Sequence, residues 1–506
     1  MSSFQTKSSR MAIVTEVTEG TPVSPSASTQ YIALQDGFSL EASFDVLDNA
    51  ELTGSIGKAK PIKGLENPTA SLGHYIRHSG VEGTEPNFGR LIEGALGGKS
   101  VNATEYNTDA GSTAGTALVA GTIVHDAGQG AFFERGEAYM IKDGVNGYSI
   151  RNVKSIATDT ATLNFNLTVA APAANVNLGK AILYKPGSSF PTFSMWDYRG
   201  NGAAVQMVAG AKVTELSISA TAGDFINGDF SLEGLSYYFN PIELTASNNK
   251  LDFNDGGVKL ATIAVGFYKD PIELADAVAA AMDAASSDTI TCKYSSSTGK
   301  FTIATSGAVL SLLWFTGANT AQTIGGKLGF ITTSDDTAAL TYTSDNALVL
   351  SSPQVPSFDV ADPLVAKDNQ VFLGGFSDNL CFCASEITFT ISNEKTDIIC
   401  VCPVSGKQES IITGREVTVE LKSSLNNYDV DAFHRFHSNQ TTEFAYNFGE
   451  KVGGNWVPGR CGNIYLPSAT ITNFVVDDSD GVVGLSVTLQ AFVDSSGNGE
   501  VYLNFL

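Results

Sequence analysis

The chain has 506 residues, 43% of them hydrophobic and 50 of them glycine; this excludes a disordered polymer and leaves room for roughly three compact units of about 100–200 residues each. Lys and Arg total 30 against 53 Asp and Glu, a formal net charge of −23, which argues against a surface that grips nucleic acid by counterion release. Such acidity suits a surface that passes close to DNA without holding it, and solubility alone would also produce it.

The N-terminal stretch MSSFQTKSSRMAIVTEVTEGTP lacks an apolar run of signal-peptide length, and AVLSLLWFTGA from Ala308 is too short to span a bilayer. A soluble, cytosolically made chain with no membrane partner is expected, and its six cysteines are expected to stay thiols. Up to Gly98 the pattern predicts strands (YIALQDGFSLEASFDV), a Gly-rich turn region and one short helix. Thr84 would cap that helix, Pro86 would sit in its first turn, Phe88, Leu91, Ile92 and Ala95 would form its buried face, and Gly97 and Gly98 would end it. Ser100 to Ala117, rich in Thr, Ala, Gly and Asn, reads as a mobile connection.

A compact β stretch follows, from about residue 119 to 188. Asp143-Gly144 and Asn146-Gly147 mark a hairpin within it, and the whole reads as a small barrel-like insertion. Residues 213 to 239 alternate on either side of a glycine turn and predict a long hairpin. From about 246 to 346 the pattern becomes α+β. Asp270, Pro271 and Glu273 give an N-cap, first-turn proline and capping-box glutamate, with Ile272, Leu274, Ala275, Val278 and Met282 as the buried stripe. Strands return from about 347 to 506, with one short helix in NYDVDAFHRF on Val430, Phe433 and Phe436.

The most informative signal is an internal repeat. Gly57-Lys58, Ile62, Gly64, Glu66 and Leu72 are echoed by Gly406-Lys407, Ile411, Gly414, Glu416 and Leu421. Each copy follows an alternating strand, precedes a short helix and closes with a strand–Gly–strand unit. The expected fold is mainly β: two tandem β-sandwich or barrel units in 1–245 and 347–506, each with one short α-helix, plus the small β insertion and the α+β module.

Glu16, Thr18, Gly20, Thr21 and Pro22, then Tyr31-Ile32 and the Gly64 strand, resemble the opening of siphophage tail tube proteins. The middle unit, TIAVGFYKDPIELADAVAAAM with TGKFTI and residues 328 to 330, resembles an accessory module of phage virion proteins. The resemblance implies a major tail tube subunit whose strands join a shared inner β-barrel. Rings of such barrels stack into a conduit for double-stranded DNA during ejection, with the DNA in transit and not tightly bound. Most such proteins carry one tube fold and form hexamers, so two folds per chain imply trimeric, pseudo-sixfold rings. The implied partners are further copies of the chain and other tail proteins, namely the tape measure, terminator and distal tail components. The implied location is the virion tail, assembled in the host cytoplasm.

Alternation places Glu215, Glu233 and Glu420 on polar strand faces, as candidates for an acidic lumen. Cys381-Phe-Cys383 and Cys400-Val-Cys402 would bring four thiols face to face if their strands met, and buried small residues are the favoured reading over a metal site. His74 and His78, and His434 and His437, lack the convergent carboxylates of a metal centre and read as surface or partly packed rings. Asp477, Asp478 and Asp480 lack the twelfth-position glutamate of a calcium loop and read as a solvated hairpin turn. With no nucleophile elbow, phosphate loop or zinc-helix motif, no enzyme, cofactor or metal is expected. A virion decoration or receptor-binding protein is the alternative, and a β-rich carbohydrate-active enzyme ranks third.

Overall fold

Period-two alternation runs through most of the chain, and the computed structural model is accordingly mainly β, with three α-helices among the described residues. Described are residues 6–51, 56–109, 118–119, 121–167, 175–307, 309–350, 353–374, 380–381, 383–424, 429–479, 482–493 and 499–506. In chain order, the principal strands begin with β1 (Arg10–Thr15), β2 (Ser39–Glu41), β3 (Phe44–Leu47), β4 (Ile62–Glu66) and β5 (Thr69–Tyr75). Helix α1 (Gly89–Leu96) precedes β6 (Phe193–Arg199), β7 (Ala204–Thr221) and β8 (Asn227–Glu233). After α2 (Pro271–Ala285) come β9 (Gln370–Gly374), β10 (Ala384–Ile399), β11 (Lys407–Ser424) and α3 (Asp429–His437). The last are β12 (Thr442–Val452), β13 (Asn455–Ser479), β14 (Val482–Ala491) and β15 (Tyr502–Phe505).

Antiparallel pairing joins β2, β5, β8, β7, β6 and β1 in that order. The same order recurs as β10, β11, β14, β13, β12 and β9, with α3 placed in sequence as α1 is. The recurrence extends to register. Leu72 faces Phe230, which faces Leu216; Leu421 faces Val487, which faces Phe474.

The two sets join where β7 pairs with β10, from Glu215 opposite Ser392 to Thr221 opposite Glu386. Strands β2–β5–β8–β7–β10–β11–β14–β13 therefore form one continuous antiparallel sheet. β7 also pairs with β6 along its first half, so it passes from an outer sheet to this one. The corner is Gly210, at φ +68°, where an added Cβ would lie 2.7 Å from Leu235.

One face of the continuous sheet is apolar. Leu72, Leu216, Ile218, Phe230, Phe389, Ile391, Val419, Leu421, Val487 and Leu489 are buried in one core with Leu91, Ile92 and Ala95 of α1 and with Phe193 and Phe444 of the outer strands. Each such side chain contributes about 1.5–3 kcal/mol on burial, so this layer dominates the stability of the body.

Residues 106 to 178 contribute a separate seven-stranded sheet. A Thr108–His125 bridge and the Asp109 amide on the Val124 carbonyl (2.8 Å) curl it round on itself over its own core of Ile123, Tyr139, Ile141, Val153 and Leu163. Of the expected connection from Ser100 to Ala117, Lys99–Asn102 and Tyr106–Asn107 are strand, and residues 110–117 lie outside the described residues. A further core, including Leu251, Phe253, Phe301 and Trp314, surrounds α2.

The helices match their periodicity with four corrections. α2 begins as expected, with the Asp270 carboxylate accepting from the amides of Ile272 (2.7 Å) and Glu273 (2.9 Å), but Ile272 is exposed. The Glu273 carboxylate turns to the Lys269 amide. α1 starts at Gly89, a turn later than Thr84 would set it, because tight turns from Val81 to Thr84 and from Pro86 to Gly89 occupy the approach. In α3, Ala432 is buried and Phe436 packs on the core, whereas Phe433 is about half exposed; the side chain of Val430 lies outside the described residues.

Candidate functional site: a polar sheet face and two open strand edges

The side of the continuous sheet opposite the core is polar, and its residues fall into cross-strand rows. Ser71, Ser231, Glu215, Ser392 and Glu416 form one row. The next holds Asp229, Ser217, Thr390, Thr418 and Gln490, and a third holds Asn227, Ser219, Thr388, Glu420 and Thr488. Glu215, Glu233 and Glu420 thus share one face of one sheet, all three exposed, joined there by Asp229, Glu386 and Glu416.

This face is acidic by a clear margin. Lys422 is paired with Glu386 (2.9 Å), and Lys395 reaches both Glu233 (3.3 Å) and Asp397 (2.5 Å). Burial, with the neighbouring Glu215 charge adding to it, raises the pKa of Asp229. Small hydroxyl and amide side chains fill the positions between the carboxylates, so the face offers hydrogen bonds to water and little apolar or cationic surface.

The repeat-defining residues have different surroundings in the two sets. The pairing register shifts beside Gly64 on β4 and again beside Gly414 on β11. Gly406, at φ +76°, turns β10 into β11 and packs against Leu65. Gly57, between β3 and β4, is exposed. Glu66 is buried, accepting from the Lys269 ammonium (2.6 Å) and the Tyr237 amide (2.7 Å), whereas Glu416 lies on the polar face and accepts from the Gln490 amide (3.0 Å). Glu66 is therefore a clasp between the sheet and the α2 module.

The internal joint between the two strand sets is clamped by residues that periodicity did not single out. Lys212 pairs with Glu19 (2.8 Å) and donates to the Ser410 carbonyl. Asn393 donates to the carbonyls of Ala95 (3.0 Å) and Val213 (3.1 Å), and Arg415 donates to that of Leu96 (3.0 Å), so β10 and β11 cap the C-terminal end of α1. Beyond the joint the sheet has two outer edges, β2 and the part of β13 after Ala469, and neither has a second partner strand among the described residues. Val475 and Val476 on the β13 edge are 43% and 53% exposed.

The cysteine expectation needs correcting. Cys383 and Cys400 stand at opposite ends of the sixteen-residue β10, about 50 Å apart along the strand, so the two C-x-C pairs do not converge. Cys383 and Cys402 are exposed rather than buried; the side chain of Cys381 lies outside the described residues. His74 and His78 are fully buried against Phe88, Phe230, Phe448 and Phe505. Burial lowers the His74 pKa to about 4, and burial with the Arg460 charge lowers that of His78 to about 3. Asp477 and Asp478 lie at the end of β13 facing Gly484 and Val483, and Asp480 is outside the described residues. Among the described residues no group of three or more His, Cys, Asp or Glu is placed to hold a metal, and no helix is long and apolar enough to cross a membrane.

A family model described as phage tail tube protein matches residues 6–270, just over half of the chain. The match takes in β1 to β8 and ends before β9. No curated protein matches the chain.

Proposed function

Because the chain belongs to the phage tail tube protein family, we propose that it is the major tube subunit of a long, non-contractile tail and that its two strand sets are two tandem tube folds. A tail tube protein is a structural component of the virion tail, and the family assignment does not favour the reading as a decoration or receptor-binding protein. The observation that carries the proposal is the continuous sheet, in which one strand order occurs twice, joined through β7 and β10, with a core on one side and an acidic, hydrophilic surface on the other.

Sheet edges left open invite pairing, and closing the sheet into a barrel removes them. In this reading three chains supply six tube folds to a ring, and the polar face becomes the wall of a water-filled lumen. Stacked rings form the conduit for DNA from capsid to host. The acidic wall keeps phosphates hydrated and gives no counterion-release gain to a passing duplex, so DNA slides without being held. The 106–178 sheet and the α2 module decorate the outside, since bulk inside would block the conduit. Tape measure, terminator and distal tail proteins are the further partners, and assembly takes place in the host cytoplasm.

Electron microscopy of the purified protein tests this. Hollow filaments or rings with three-chain mass are expected, and monomers that persist at high concentration would refute it.

A further inference from the structure

The internal joint is a template for a contact that one chain cannot make with itself. In the first strand set, the β10–β11 turn fills the space beside β4 and the end of β8. The Ser405 carbonyl accepts from the Glu66 amide (3.3 Å), Gly406 packs on Leu65, and Pro403 to Gln408 line a remaining gap of about 330 Å³ with Gly20, Leu235 and Ser236. The register equivalences carry Leu65–Glu66 onto Gly414–Arg415, since Glu66 faces Phe44 as Arg415 faces Asn393, and Leu235–Ser236 onto Phe492–Val493. At that second place lies an open groove of about 820 Å³, lined by Gly414, Arg415, Phe492 and Val493 together with Phe190 and Ile411. No described residue fills it, and Ile411, Phe492 and Val493 are exposed.

The hairpin equivalent to β10–β11 is β3–β4. Its Val46, Leu47 and Ile62 are each more than half exposed, an apolar surface that no described residue covers. Strand β2, beside it, is one open sheet edge, and β13 beside the groove is the other. Hairpin and groove stand at opposite ends of the same sheet, so they can meet only between copies. A head-to-tail contact of this kind closes into a ring when its rotation completes a full turn.

Resting on the tube reading above, we propose that the groove beside Arg415 and Phe492 receives the β3–β4 hairpin of a second copy of this chain, while β2 of that copy extends β13. The register follows from the internal joint. Leu40 faces Ala70 as Phe389 faces Val419, so Leu40 takes the place of Phe389. Val476 takes the place of Ile218, which faces Phe389. Val476 of one copy therefore lies opposite Leu40 of the next, Phe474 opposite Ala42, and Val475 opposite Glu41. Val476 and Phe474 join the apolar side, and Val475 and Glu41 the polar side.

The test is oxidative cross-linking of full-length protein carrying Val475→Cys and Glu41→Cys, with Cys383, Cys400 and Cys402 changed to Ser. Directly opposed residues have Cβ atoms about 4.5–5.5 Å apart, within disulfide reach, so a covalent ladder ending at the ring size is expected. Val475→Cys with Ser43→Cys, two residues out of register, should give at least tenfold less. Phe492→Arg added to the first pair should also cut the yield at least tenfold. Microscopy of the same samples separates the two readings. Rings without the Val475–Glu41 cross-link overturn the register, and rings whose cross-linking ignores Phe492→Arg overturn the socket. Absence of rings and of cross-links overturns the tube reading itself.

Discussion

The Glu19 carboxylate accepts hydrogen bonds from both the amide (2.8 Å) and the hydroxyl (2.5 Å) of Ser410, 391 residues further along the chain. Together with Lys212, this locks the two strand sets at their junction. The Lys212 and Glu19 side chains are 9% and 16% exposed, so removing one partner strands the other in a poorly solvated place. Glu19→Ala should lower stability by about 2–4 kcal/mol. The sign should be a fall in thermal midpoint, with faster proteolysis of the β10–β11 hairpin. A neutral outcome would mean that the β7–β10 ladder alone holds the joint.

Asn463 is the centre of a buried amide knot. Its side chain donates to Asn152 (3.0 Å) and Asn447 (2.6 Å) and accepts from Asn152 (2.6 Å) and Asn504 (3.2 Å), tying the 106–178 sheet to β12, β13 and β15. Asn463→Ala removes a hydrogen bond from each of Asn152, Asn447 and Asn504 and leaves the buried Asn447 Oδ1 without the donor it has here; an unsatisfied buried polar group costs about 1–3 kcal/mol. A loss on the order of 3 kcal/mol is expected in denaturant melts, whereas Asn463→Asp should be tolerated only at acid pH, where the carboxyl can still donate.

Glu215 and Glu420 lie on the acidic face without an ion-pair partner among those observed, whereas Glu233 is held by Lys395. Glu215→Lys with Glu420→Lys should therefore leave folding within about 0.5 kcal/mol of the parent. If the face lines the lumen, genome release from particles built with this variant should slow, more at low salt than at high. Release kinetics indistinguishable from the parent at low salt would place these carboxylates outside the DNA path. Glu233→Lys is the less clean probe, because it sets two ammonium groups side by side.

The buried histidines predict a definite pH response. Folded-state pKa values near 4 for His74 and near 3 for His78, against an ordinary 6.5, mean that both rings fold neutral. Their contribution is complete above pH 6.5 and is lost as pH falls toward those values, at about 1.4 kcal/mol per pH unit for each ring. Glu137, raised to about 7 by burial, works in the opposite sense. The informative measurement is thus the difference between the parent and His74→Phe. The variant should gain on the parent in thermal midpoint between pH 7 and 5, and parallel curves would refute the assignment.

Much of the local structure was legible from residue order. Asp270, Pro271 and the apolar spacing behind them mark α2 because a cap and a helical stripe are local features. The hairpin around Asp143 and Gly147 is likewise set by its turn residues. The assembly-bearing features were less accessible. Glu66 and Glu416 occupy matching places in the repeat, yet one is buried on Lys269 and the other faces solvent. The sequence repeat slips by one residue against the pairing register, in which Glu66 stands opposite Phe44 as Arg415 stands opposite Asn393, and one residue along a strand changes the face. Glu19, Lys212 and the asparagine knot carried no pattern, since each joins segments far apart in the chain, from Glu19 to Ser410 and from Asn152 to Asn463.

Alternation by itself determined that Glu215, Glu233 and Glu420 sit opposite the apolar positions of their strands, because side chains along a strand point alternately to its two faces. It also determined that two parts of the chain repeat one order of elements. Only the tertiary structure decided that these three carboxylates share a single surface, because pairing of β7 with β10 is a long-range choice made by edge complementarity and core packing, to which local sequence is blind. The same pairing decided which edges stay open, and hence where a second copy can attach.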